Sequence, residues 1–93
     1  MTIQIVQDIR KQAPGERRAH SLDWVDELNG QTITSVEWTA TGLSKLYETL
    51  DGTVTSLYLS GGVDQTDYVV SCAVTTNLNE IIIRSFLLEC RKL

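Results

Sequence analysis

"LSKLYETLDGTVTSLYL", residues 43–59, is the stretch on which the fold turns. Leu43, Leu46, Tyr47 and Leu50 stand at i, i+3, i+4 and i+7, the spacing of one amphipathic helical face. They run into Asp51-Gly52, a strong signal for a two-residue hairpin, and then into threonine, valine, leucine and tyrosine, which suit a strand. Pairing through that turn sets Leu50 against Thr53, Leu46 against Leu57 and Ser44 against Leu59. Leu46, Leu50, Leu57 and Leu59 then share one face, with Lys45, Tyr47, Ser56 and Tyr58 on the other. A random register does not sort apolar from polar so well, and eight residues are few for a helix. The hairpin is the preferred reading.

The rest of the chain from Gln31 onward follows suit. "QTITSVEWTA" ends before Thr41-Gly42, "TVTSLYL" ends at Gly61-Gly62, and "DYVVSCAVTT" ends at Asn77-Leu78-Asn79, followed by "EIIIRSFLLECRKL". Short β-prone runs with turn residues at this spacing predict an all-β antiparallel sandwich or barrel of about six to eight strands. The last two runs are expected to form a second hairpin. Tyr68, Val70, Cys72 and Val74 make one face of its first strand. On its second strand Ile82, Phe86, Leu88 and Cys90 compete with Ile81, Ile83 and Leu87 for the interior. Strands apolar on both faces imply a central position or a surface covered by a neighbour.

Upstream, Ala13-Pro14-Gly15 is the clearest break. Ile3, Ile5 and Ile9 precede it at alternating positions, so residues 1–14 read as an N-terminal arm that either packs on the domain or projects from it. Two tryptophans, Trp24 and Trp38, flank Asn29-Gly30, with Ile33 and Val36 between them. A buried tryptophan removes on the order of 200 Å² from water. Both rings are therefore expected as core anchors, with Asp23 capping the short "WVDEL" turn through backbone N–H groups. The alternative is an exposed aromatic platform for a carbohydrate or a peptide.

Composition bounds the function. The 93 residues carry a formal net charge of −4, with 42% hydrophobic and 22% charged side chains, as expected of one folded domain, residues 1–93. An acidic chain argues against nucleic acid, whose phosphates require clustered Lys and Arg. Arg10-Lys11, Arg17-Arg18 and Arg91-Lys92 read as solvating groups on terminal segments. No stretch is long and apolar enough to span a bilayer, and no secretory signal pattern is seen, so no membrane partner is expected. Cys72 and Cys90 lack CxxC spacing and read as small buried apolar side chains.

Chemistry-bearing constellations are sparse. His20 is the single histidine and has no GxSxG or metal-ligand companion, so it reads as an exposed or hydrogen-bonded side chain. Asp64 and Asp67 in "GGVDQTDY" have too few companions for a calcium loop and read as bonding nearby backbone N–H groups. Gly61-Gly62 lacks the following helix and lysine of a phosphate loop. No enzyme, catalytic residue, cofactor or metal is expected.

The ordered set "KQAPGERRAHSLDWVDELNGQTITSVEWTATGL" (11–43), "LYLSGGVDQTDYVVSCAVTTN" (57–77) and "IRSFLLE" (83–89) resembles a family of small tailed-bacteriophage virion proteins of the fibre–tail adaptor type. The match lies in structural punctuation: the Asp23-Trp24 pair, Thr32-Ile33 opening a strand, Ser60-Gly61-Gly62, Tyr68-x-Val70 and Arg84-Ser85. It departs at His20, where an aromatic is usual, and at Asn77-Leu78-Asn79, which replaces a Gly-containing turn. The resemblance implies an immunoglobulin-like β-sandwich anchored by Asp23, Trp24, Ile33, Trp38, Gly61, Gly62 and Tyr68. It further implies a structural protein of the phage tail, bound to other virion proteins in a symmetric homo-oligomer, made in the bacterial host cytoplasm and used in the virion. The competing reading is an immunoglobulin-like binding module with Trp24 or Trp38 as its platform.

Overall fold

The structure is a computed structural model, and it describes residues 8–92. The N-terminal run before Asp8 lies outside the described residues. Strands β1 (Ile9–Gln12), β2 (Arg18–Asp23), β3 (Ile33–Thr39), β4 (Ser44–Asp51), β5 (Val54–Ser60), β6 (Thr66–Thr76) and β7 (Ile81–Cys90) are joined by one helical turn, α1 (Val25–Leu28). They form two stacked sheets, β1-β7-β6-β3 and β2-β5-β4. All pairings are antiparallel except β1 with β7, which is parallel. The chain is thus an all-β immunoglobulin-like sandwich, and residues 9–12 of the expected arm are a strand of it.

The core lies between the sheets because the apolar residues alternate with polar ones along the strands. Leu57 and Leu59 from β5 meet Val70, Cys72 and Val74 from β6 and Phe86 and Leu88 from β7, all buried. The structure resolves the ambiguity on β7: the even-numbered set points inward, while Ile81 and Ile83 face outward, 67% and 65% exposed. Both cysteines are free and buried. Burial pushes the Cys72 thiol up to about 11.

Four crossings between sheets explain the turn residues, the first at Pro14-Gly15 between β1 and β2. Asn29-Gly30 does not make a hairpin; Asn29 takes a left-handed backbone (φ 49) that ends α1 and sends the chain from β2's sheet to β3's. Gly42 lies between β3 and β4, and Gly61-Gly62 between β5 and β6, the last with φ 99. A Cβ on Gly62 would lie 3.0 Å from Cys90 Sγ and 3.2 Å from Leu43 Cδ2, so the crossing needs glycine for space as well as for backbone.

The decisive hairpin is present, but its register differs from the expected one. Its loop is Gly52-Thr53, closed by Asp51 opposite Val54, so Leu50 faces Thr55 rather than Thr53. Thr53 is drawn into the loop by the end of β2: its carbonyl accepts the Trp24 N–H at 2.9 Å, and its hydroxyl donates to Asp23 Oδ1 at 2.8 Å. A bulge between Lys45 and Tyr47 then shifts the pairing at Leu46. Leu57 and Leu59 take the interior as expected, but Leu46 and Leu50 remain 43% and 46% exposed. The physical reason is position: β4 is an edge strand, and the facing edge, β3, presents Thr34, Ser35 and Val36 across an open groove of about 290 Å³ instead of a packed cover.

Candidate docking surfaces

Both indoles are interior. Trp24 is 0% and Trp38 2% exposed, so neither forms the platform of the alternative reading. The Trp24 indole N–H donates to Thr55 Oγ1 at 2.9 Å, and the Arg84 guanidinium lies 5.4 Å from its ring centre. Arg84 also donates to the Asp23 carbonyl at 2.7 Å, which ties β7 to the end of β2. Asp23 does not stand at the cap position, which Trp24 occupies; its carboxylate accepts the Val25 N–H at 3.1 Å from one residue further upstream. Ile33 and Val36 both pack on the core despite their odd spacing, because β3 has a register shift between Ile33 and Ser35. The displaced Thr34 hydroxyl donates to the Thr75 carbonyl at 3.1 Å.

Tyr68 closes the far end. Its hydroxyl accepts the Val63 N–H at 2.9 Å, and its ring is flanked by Gly42 and Gly62. Gly61 lies beside Ser44, with the nearest approach to its missing Cβ at 3.8 Å. Asp64 accepts the Lys92 N–H at 2.7 Å and Asp67 takes the Arg91 guanidinium at 2.8 Å, so both acids hold the C-terminal segment. Among the described residues, no group of three or more His, Cys, Asp or Glu side chains is placed to hold a metal ion.

His20 is buried on the β1–β2 side. Gln12 donates both amide hydrogens, to the Leu59 carbonyl and the Glu16 carbonyl at 2.9 Å each, so its Oε1 must accept. That oxygen lies 2.8 Å from His20 Nε2, so Nε2 carries the hydrogen and donates it. Burial lowers the His20 pKa from its ordinary value, and the Arg10 and Arg18 charges push it the same way against Asp8. The network joins the two sheets across the edge pair β1 and β2, so this side of the sandwich is sealed.

Two surfaces remain unsealed. One is the β3–β4 side, with Leu46, Tyr47 and Leu50 exposed along β4; the Tyr47 ring stacks on Tyr58 at 4.2 Å. The other is the outer face of the four-stranded sheet. Register places Ile9, Leu87 and Val69 in one row across it, Glu37, Ala73 and Ile83 in another, and Thr75 and Ile81 at its end. Val69 is 62% exposed, as are Ile81 and Ile83 to a similar degree, and the face holds a shallow depression of about 380 Å³ between Glu37, Thr39, Ser71, Ala73 and Ile83. Isolated exposed apolar side chains are ordinary, but here they recur along one sheet face on both sides of a polar row, Thr39, Ser71 and Ser85, in which the two serine hydroxyls bond to each other at 2.8 Å, a surface that can meet a partner. Sequence reasoning left these isoleucines unassigned because the two charges of β7, Arg84 and Glu89, fall on opposite faces; in the fold Arg84 reaches the Asp23 carbonyl and the Trp24 ring.

Comparison with known proteins agrees with this arrangement. No curated protein matches the sequence. Among solved structures, the solution structure of the PKD domain from KIAA 1837 protein superposes with a TM-score of 0.54 at 15% identity, covering 99% of this chain and 93% of that one. At that identity the likeness shows the shared fold alone. The family model described as Podophage GP4 fiber-tail adaptor protein gp77 matches residues 12–89, which takes in every described strand at least in part. The chain belongs to the Gp77 family of podophage fibre-tail adaptor proteins.

Proposed function

We propose that this chain is a non-enzymatic coupling piece of a podophage tail, present in the virion in several symmetric copies and joining a tail or neck ring to a fibre. The observation that carries the reading is the family match over residues 12–89. The fold supports it physically. The interior is filled by Trp24, Trp38 and the β5–β7 side chains, and the polar groups that catalysis would need are spent on holding segments together. In this reading Asp23, Trp24, Ile33, Trp38, Gly61, Gly62 and Tyr68 act only as anchors that keep the sandwich rigid. The outer face of the four-stranded sheet, with Val69, Ile81 and Ile83, meets a neighbouring tail protein. Glu37 and Glu89 flank that face and the chain carries a net charge of −4, so the matching surface is apolar with a basic rim.

The test is the double variant Val69→Asp with Ile83→Asp. Both side chains face solvent, so the isolated domain should keep its far-UV circular dichroism and melt close to the unmodified protein. Supplied to an infection lacking the native protein, the variant should fail to co-sediment with tail-bearing particles. Normal incorporation and infectivity of such particles would remove this face from the interface.

A further inference from the structure

The fold sorts the charges of this chain toward two poles. Asp23, Val54 and Asp51 share one cross-strand row, and Thr75 lies opposite Ile81. Helical turn α1 and the β4–β5 and β6–β7 turns therefore lie at one end of the sandwich. That end carries Asp23, Asp26, Glu27, Asp51 and Glu80, all exposed, and its turns hold no Lys or Arg. Among the described residues only Glu27 of these five meets a cation, Arg84 at 3.6 Å. At the opposite end Arg18, Leu59 and Lys45 share a row, and Gln12 lies beside Cys90. Six cations gather there, Lys11, Arg17, Arg18, Lys45, Arg91 and Lys92, with four acids, Glu16, Asp64, Asp67 and Glu89. Three of those acids are spent locally: Glu16 accepts the Ala13 N–H at 2.6 Å, Asp64 the Lys92 N–H, and Asp67 the Arg91 guanidinium. One pole thus has five negative side chains and the other an excess of two positive ones, and residues 1–7 contain no charged side chain to alter this.

We propose that the two poles bind each other between copies, the acidic end of one chain against the basic end of the next. A two-fold contact sets a patch against itself and would here oppose like charges. A closed ring of more than two copies instead needs each chain to offer two different, complementary patches. The use of this contact in a tail ring rests on the reading of several symmetric copies given above, whereas the separation of charge stands on the fold alone. Exposed complementary charges set orientation and register more than strength. The isolated chain therefore associates weakly, head to tail, and in a way that salt suppresses. The contact uses the ends of the sandwich and leaves the outer face of the four-stranded sheet for a different protein.

Sedimentation velocity on the isolated full chain tests this without reference to the tail. In about 0.01 M salt, where charges act over about 30 Å, the average mass should rise with protein concentration. The rise should vanish in about 1 M salt, where that range shrinks to about 3 Å. Asp26→Lys with Asp51→Lys reverses the acidic end, and Arg17→Glu with Arg18→Glu reverses the basic end. Each double variant alone should associate about tenfold or more weakly, because its two ends then carry like charge. An equimolar mixture of the two should associate again, since every end meets its opposite, and a variant that had merely lost its fold could not be rescued this way. Val69→Asp with Ile83→Asp should leave the association unchanged, which separates this contact from docking through the sheet face. The assignment is overturned if the unmodified chain stays monomeric in low salt, or if its association survives high salt. It is equally overturned if either charge-reversed variant associates as well as the unmodified chain, if the mixture does not recover, or if the sheet-face variant abolishes association.

Discussion

Trp24→Phe and Trp38→Phe should differ sharply in cost, although both remove the same atoms from a buried site. Each replacement opens roughly 40 Å³, worth about 1 kcal/mol at about 24 cal/mol per Å³ of residual cavity. Beyond that the two sites diverge. The Trp24 indole N–H is bonded to Thr55 Oγ1 at 2.9 Å, and Thr55 is fully buried, so phenylalanine leaves that hydroxyl with only the long contact to Cys72 Sγ at 3.8 Å. Stranding a buried polar atom costs about 1–3 kcal/mol. The Trp38 indole N–H is buried with no hydrogen-bond partner among the described residues, so phenylalanine there removes a standing penalty of the same order. Trp24→Phe should thus destabilise by about 2–4 kcal/mol and Trp38→Phe by about 1 kcal/mol or less. In a domain of this size the gap of about 2 kcal/mol is about 8–16 °C in melting temperature. Urea unfolding followed by far-UV circular dichroism, which does not depend on the substituted indole, measures it, with equal m-values required for the comparison. Equal midpoints, or a larger loss at Trp38, would refute the assignment of the two indoles to bonded and unbonded sites.

Two further perturbations address the edges of the sandwich. The folded pKa of His20 lies below its unfolded value of about 6.5, so the unfolded state takes up the proton first. The stability this histidine supplies is therefore full above about pH 6.5 and falls as the pH drops from there through the folded pKa, with a slope of at most about 1.4 kcal/mol per pH unit. His20→Gln should flatten the dependence of the urea midpoint between pH 7.5 and 5; an unchanged slope would dismiss the buried neutral imidazole as its source. Gly62→Ala should cost more than Gly30→Ala, since both glycines have positive φ but only Gly62 has neighbours within 4 Å of the added carbon. Backbone strain alone is worth about 1–3 kcal/mol at either site, and equal losses of melting temperature would mean that packing at the β5–β6 crossing yields freely.

What could be read in advance followed from periodicities that act locally. Strand alternation in "TVTSLYL" and "DYVVSCAVTT" grouped Leu57 with Leu59 on one face, and Val70, Cys72 and Val74 on another, without any tertiary information. The glycines marked turns for the same local reason, since each holds a positive φ that other residues resist. The hairpin register was not legible, because Thr53 is claimed by Asp23 and Trp24, thirty and twenty-nine residues upstream. Nor was the role of His20, whose partner Gln12 is held in turn by a carbonyl on β5.

The candidate docking face shows the division most plainly. The sequence alone determined that this chain is built of strands with apolar residues on both faces and that it carries the punctuation of its family. Which of those faces is buried was decided only by assembly of the two sheets. A four-stranded sheet stacked on a three-stranded one can cover one side of β6 and β7 but not the other, and Arg84 settles the choice by reaching inward to Trp24 and the Asp23 carbonyl. Alternation fixes what lies together on a strand; only the second layer fixes which side meets water.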